Sequence, residues 1–174
     1  SAEMLLTNLG VYFHAESKAD SVLQKMKADI NLAQEAAAKL NPGDTPKVMI
    51  IHFGRANNVY FVMSGRKGPG DKMISMAGGR PALYDAKGAR QMSPEAVAAA
   101  NPDIIIATDF GFDQMGSMDK FISDVPGVAL TNAGKNKRIV RFEEHDLVYF
   151  GPRSGENILK LMRLLHPQEN VPAQ

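Results

Sequence analysis

The sequence contains no cysteine. That absence excludes disulfides, thiolate metal sites and cysteine nucleophiles, and it suits an oxidising compartment without demonstrating one. No run of about eighteen apolar residues occurs, so no membrane-spanning helix is expected. The opening SAEMLLTNLG lacks a basic leader, an apolar core and a small-residue cleavage site, so it does not read as a signal peptide, and the chain is expected to be mature, processed or cut. Neither sign of charge is in excess: 20 Lys and Arg stand against 19 Asp and Glu, a net charge of +1. Such a balance argues against a nucleic-acid-coating protein or a polybasic membrane protein. The phosphate-binding patterns G-x-x-x-x-G-K-[ST] and G-x-G-x-x-G are missing, as are the Gly-x-Ser-x-Gly elbow and a paired H-x-x-x-H metal spacing.

What is present is ordinary for a globular protein: 174 residues, 44% hydrophobic and 22% charged, enough for one core or one domain plus an appendage. Residues 16–40 carry Ala19, Val22, Leu23, Met26, Ile30, Ala33, Ala37 and Leu40 as one helical stripe. About 25 residues make roughly 37 Å of helix. Pro42 and Gly43 break it. KVMIIHF and NNVYFVMSG then read as two strands joined through Asn57-Asn58, whose tolerance of positive φ suits a tight hairpin. DKMISMAGG predicts a short helix closed by Gly78-Gly79, and PALYD an extended piece.

MSPEAVAAANPDIIIATD is the clearest signal: Ser93 caps a helix, Pro94 takes its first position, Glu95 favours the positive helix end, Pro102 stops it, and residues 103–108 form a buried strand. Next come a helix over 114–123, the segment GVAL, a strand in NKRIVRFE and a final helix over 154–165. Ile158, Leu161, Met162 and Leu165 give that last helix its stripe, with Ser154 or Gly155 as its cap. Strands alternating with helices predict an α/β protein, a three-layer sandwich with a mostly parallel central sheet. The long helix before it is too long for another covering helix and reads as a strut between two bodies.

Several segments together resemble the substrate-binding proteins of bacterial ABC importers for haem, siderophores and cobalamin, in which one rigid helix joins two α/β lobes. The segments are MSPEAVAAANPDIIIAT, MISMAGGRPAL and VPGVALTNAGKNKRIVRF. SGRKGPGDKMISMAGG and LVYFGPRSGENILKLMRLLHP are most similar to the haem branch. The resemblance runs from Leu9 to Pro167 and rests on the order and spacing of motifs that are individually weak. It implies a Rossmann-like C-terminal lobe over residues 46–168, a linker and strut over 1–41, and a tail over 169–174. It also implies a C-terminal fragment that lacks the N-terminal lobe, which in the haem branch usually supplies the iron-ligating tyrosine. The implied place of work is the periplasm, or the cell surface as a lipoprotein in a Gram-positive organism. The implied ligand is haem, iron protoporphyrin IX, as transported cargo and not as a catalytic cofactor. The implied partner is an inner-membrane ABC permease.

Haem is a flat apolar plate with a Lewis-acidic iron and two carboxylates, so its site needs apolar walls, an axial donor and cations at the edge. Arg153 stands at the start of the last helix, where a lone cation is unfavourable by roughly 0.3–1 kcal/mol. A propionate there would bridge the guanidinium and the helix N–H groups; the plainer reading is an ion pair with a carboxylate such as Glu156. Arg66, with Lys67 in GRKGPGD, and Arg55 are further rim candidates, although a basic Gly-rich loop is usually a solvated turn. Phe53, Met63 and Tyr149 are candidate cleft walls. Met73 and Met76 join Met63 as soft apolar side chains, more often core than ligand. Of the four histidines, His52 at a strand end is the candidate iron ligand, against a packed or solvent-facing histidine. His14 precedes the strut, His145 lies in an acidic surface loop and His166 near the C-terminus. Glu95 is where the family meets an arginine of the permease, or it simply compensates the helix dipole.

The first expectation is therefore a binding protein without covalent chemistry. The same fold carrying a ferric siderophore or cobalamin is the alternative. A small α/β enzyme is disfavoured, because no carboxylate pair stands at a strand terminus beyond the isolated Asp109. A dimerising domain is the last alternative, since an orphaned helix stripe exposes an apolar patch that a homodimer would cover.

Overall fold

In the computed structural model, which describes residues 2–53, 60–63, 68–83, 89–91 and 93–173, the two apolar runs VMII and III lie side by side at the centre of one sheet. The strands are β1 Lys47–Phe53, β2 Tyr60–Met63, β3 Arg80–Pro81, β4 Ala89–Gln91, β5 Ile104–Thr108 and β6 Ile139–Phe142. Their order is β4-β2-β1-β5-β6, with β3 beside the start of β1. Strands β1, β3, β5 and β6 run parallel, while β2 pairs antiparallel with both β1 and β4 and so runs against the other five strands. The hairpin between β1 and β2 pairs as the sequence predicts, and its Asn57-Asn58 turn lies outside the described residues.

The helices are α1 Ala2–Tyr12, α2 Glu16–Ala38, α3 Pro69–Met76, α4 Pro94–Ala100, α5 Asp109–Met115, α6 Met118–Asp124, α7 Asn132–Lys135, α8 Glu144–Val148 and α9 Ser154–Leu165. Successive strand residues point to opposite faces, so a strand covered on both sides must be apolar throughout. Val48, Ile50, Ile104, Ile106 and Phe142 face a core built with Ala33 and Ala36 of α2, Met73 and Ile74 of α3 and the stripe of α9. Met49, Ile51, Ile105, Ala107 and Ile139 face the other core, with Val97 of α4, Phe121 of α6 and Ala133 of α7. That is the three-layer sandwich expected. Val171, beyond α9, also packs into the first core.

Three local readings change. The helix expected over 114–123 is two helices, because Gly116 turns left-handed (φ 79°) and Ser117 caps the second through its Oγ, 3.2 Å from the N–H of Lys120. The acidic surface loop expected around His145 is instead the short helix α8. The first residues of the chain form α1, which crosses α2 so closely that Gly10 sits against Ala19. The apolar side chains left exposed are mostly those of α1 and its end: Met4, Leu5, Leu9, Val11, Tyr12 and Phe13. On α2, Val22 alone among the exposed large hydrophobics continues that surface, while Met26 and Ala33 are buried.

Helix α9 spans the sheet from end to end. Its last carbonyl, Leu165 O, accepts from Arg138 Nη2 at 3.2 Å, just before β6 begins. Its C-terminus therefore lies at the strand starts, and its N-terminus at the strand ends. There Gly155 packs against the backbone of Asp29 and Ile30 in α2: a Cβ at this position would stand 2.4 Å from Asp29 C. Lys25 of α2 ties down the same corner, pairing with Asp29 at 2.6 Å and also with Glu156.

Candidate functional site

The carboxyl ends of parallel strands are where open α/β sheets place ligands, because loops diverge there and leave a crevice. In this chain that edge carries His52 and Phe53 from β1, Thr108 and Asp109 at the end of β5, Glu143 and Glu144 after β6, and the loop from Tyr149 to Arg153. Asp109 organises it. Its Oδ1 accepts from the N–H of Glu144 at 2.9 Å and so anchors the start of α8. Burial pushes the Asp109 carboxyl up, yet hydrogen bonds from the N–H groups of Glu144, Asp109 and Phe110 together hold it below the ordinary carboxylate range.

Next to it, Arg141 forms a bidentate pair with Asp113 at 2.6 and 2.7 Å and reaches Glu143 at 2.8 Å. The pair raises the arginine pKa and lowers that of Asp113, so both stay charged. His52 Nδ1 lies 3.0 Å from Glu144 Oε2. The histidine singled out as a candidate iron ligand therefore faces a carboxylate. Among the described residues no group of three or more His, Cys, Asp or Glu could hold a metal ion.

Arg153 occupies the N-cap position of α9, where its side chain makes no cap bond. Ser154 is the first helical residue and not the cap; its Oγ donates to Gly151 O at 2.7 Å. The guanidinium remains 69% exposed and its carboxylate neighbour is Asp146, at 3.5 Å from Nη2. The expected partner Glu156 is instead engaged by Lys25. Tyr149 is 64% exposed and lies against His145, ring centroids 4.9 Å apart. Phe150 and, at the start of α5, Phe110 are further exposed aromatics of the same edge.

The other sequence candidates separate from this group. Phe53 is only 8% exposed and packs edge-on to Phe121 at 5.8 Å, so it is a core residue and gives little wall to a ligand. Arg55 and Arg66 lie outside the described residues, as does the side chain of Met63. Met73 is fully buried in the core. His145 is exposed on α8, His14 takes a left-handed backbone (φ 51°) between α1 and α2, and His166 is buried beside Gly78 O at the opposite edge. Glu95 is exposed in the first turn of α4, its carboxyl held low by its own N–H and by the Ser93 side chain. Phe110, Phe150 and Asp146 are the residues that sequence reasoning passed over. Phe110 lies two residues past the end of β5, which is the signal that would have found it.

Comparison with known proteins bears on the family and the fold. Residues 1–145 match the periplasmic binding protein family, and the chain belongs to that family. An uncharacterized ABC transporter substrate-binding lipoprotein, YvrC of Bacillus subtilis, is 28% identical over 153 residues, covering 88% of this chain and 46% of that protein. The periplasmic heme-binding protein RhuT of Roseiflexus sp. RS-1, in apo form, superimposes with a TM-score of 0.83 at 26% identity. The periplasmic heme-binding protein BhuT, in complex with two hemes, gives 0.84 at 26% identity. Each structural match covers 95% of this chain and 62% of the other. The chain thus spans less than two thirds of the length of these relatives.

Proposed function

We propose that this chain is the C-terminal lobe, with strut helix, of a haem-binding protein that delivers its cargo to an inner-membrane ABC permease. Binding is by closure of two lobes on the ligand, without covalent chemistry. The observation that carries the reading is the corner at the strand ends where an exposed arginine, Arg153, stands beside exposed Tyr149 and Phe150, with Phe110 on the same edge. Flat apolar contact with a cation at the rim is what a porphyrin bearing carboxylates requires. A fold shared at TM-scores above 0.8 with two heme-binding proteins supports the same reading.

On this reading the strut is α2, the lobe is residues 46–168, and a second lobe covers the apolar surface of α1 and supplies the axial iron ligand. Arg55 and Arg66 extend the rim, and Glu95 meets the permease. The compartment is extracytoplasmic, in the periplasm or, as the lipoprotein relative suggests, at the cell surface. A ferric siderophore or cobalamin is the competing cargo. Asp109, Asp113, Glu143, Glu144 and Asp146 crowd this edge and favour a ligand with fewer negative charges than haem.

Titration of the full-length protein with hemin tests the proposal. A saturable Soret change at micromolar hemin is expected. Arg153→Ala should weaken binding by about 10- to 100-fold, the worth of a charge-assisted pair, with no loss of stability. Absence of a Soret change in the full-length protein removes haem as the cargo.

A further inference from the structure

Asp146 is the side chain that faces Arg153, and the two are unequally placed. The carboxylate is confined, its side chain only 11% exposed, on a helix whose start is fixed by the Asp109 contact to Glu144 N–H and whose Leu147 is fully buried. The guanidinium is largely in solvent, on a long flexible stem rooted at the N-cap of α9. Their 3.5 Å separation is a loose ion pair and not a well-formed hydrogen bond. Among the described residues the other cationic candidate near Asp146, His145 Nδ1, is further away at 3.7 Å. An arginine held loosely by a fixed carboxylate can be won by a better-placed one, because a bidentate carboxylate pair is stronger than a single long contact.

We infer that Asp146 is an internal competitor for Arg153: it neutralises the guanidinium in the empty protein, is displaced from it by a ligand carboxylate, and thereby sets how strongly this corner prefers acidic over neutral ligands. The inference rests on the proposed role of Arg153 at the cleft rim. It runs against the alternative in which Asp146 orients Arg153 for the ligand, because a positioning carboxylate would make a short, directed bond to the guanidinium.

The two ideas predict opposite signs for Asp146→Asn, a substitution that keeps the side-chain shape. With full-length protein, hemin should bind the variant roughly 2- to 5-fold more tightly, the scale of an exposed ion pair. Hemin dimethyl ester, which has no propionate charge, should bind wild type and variant equally, and the gain for hemin should vanish in an Arg153→Ala background. Weaker hemin binding by Asp146→Asn, or an equal change for hemin and its ester, overturns the inference. A second measurement does not depend on the cargo. Sodium acetate titrated into the isotopically labelled 174-residue chain and followed at the Arg153 Nε–H resonance should saturate at a several-fold lower concentration in Asp146→Asn. Identical acetate curves overturn the competition. If hemin binds neither protein while the acetate curves separate, the haem reading fails and the competition stands.

Discussion

The two edges of the sheet use the same device and do different things with it. At the strand starts Asp103 accepts from Lys47 N–H at 2.9 Å and from Asn132 Nδ2 at 3.1 Å, while Asn101 Oδ1 accepts from the N–H of Asn132 at 2.7 Å. At the strand ends Asp109 accepts from Glu144 N–H at 2.9 Å. Each aspartate stands beside β5, and each carboxyl is held below its ordinary range: burial pushes it up, and the hydrogen bonds outweigh that. Around Asp103 the polar groups answer one another, and a groove of about 460 Å³ beside it is lined by Arg80 and Arg138 as well as Asp44. Around Asp109 carboxylates outnumber arginines among the described residues, three aromatics stay exposed and Arg153 is held only loosely. An edge that closes its own hydrogen bonds contributes stability; an edge that leaves charge and rings in solvent is available for a ligand.

The comparison breaks first at Gly155. A β-carbon there meets the backbone of Asp29, which has no flexible end to move aside, so Gly155→Ala should cost up to about 3 kcal/mol of stability. Because this is where α9 is pinned to α2, the substitution should also displace Arg153 and weaken ligand binding. Urea denaturation together with hemin titration reads both effects, and unaltered stability would show that the helices part easily. Asp103→Ala should come next, at about 1–2 kcal/mol, since it leaves the N–H of Lys47 without its acceptor. Ligand affinity should not change. A loss of affinity in Asp103→Ala would mean that the two edges are coupled and that the division of labour is wrong.

Much of this was legible in the sequence for identifiable reasons. Buried parallel strands are apolar on both faces, so VMII and III announce themselves, and Ser93-Pro94 marks a helix start by a cap and a fixed φ. Short elements defined by contacts were not legible. Helix α8 has five residues and only two buried positions, Asp146 and Leu147, too few for a helical period to appear. The break at Gly116-Ser117 was written in the residues, yet it lay inside a run read for periodicity alone. The site divides in the same way. Arg153 stood out because its charge opposes the helix end, whereas its partner depends on where α8 packs. For that reason Asp146, and not Glu156, faces it.

The smallest expected effect is the most specific to the strand ends. Asp109→Asn keeps an oxygen that can accept from Glu144 N–H and removes only the charge, so near neutral pH it should cost about 1 kcal/mol. The native pKa of Asp109 lies below its unfolded value. The stability that its charge contributes is therefore fully present above about pH 4, the ordinary carboxyl value, and drains away as pH falls through the lower native value. Below that point the wild-type carboxyl is neutral in both states, and the two proteins should converge. Asp103 titrates with the same sign, but it is common to both proteins and cancels in their difference. Urea midpoints of wild type and Asp109→Asn, compared from about pH 7 down to about pH 2.5, measure that difference directly. A gap that closes in acid assigns the effect to the charge at the strand ends. A gap of constant size would mean that Asp109 acts through shape alone, and the contrast drawn between the two edges would then rest on Arg153 and the exposed aromatics without it.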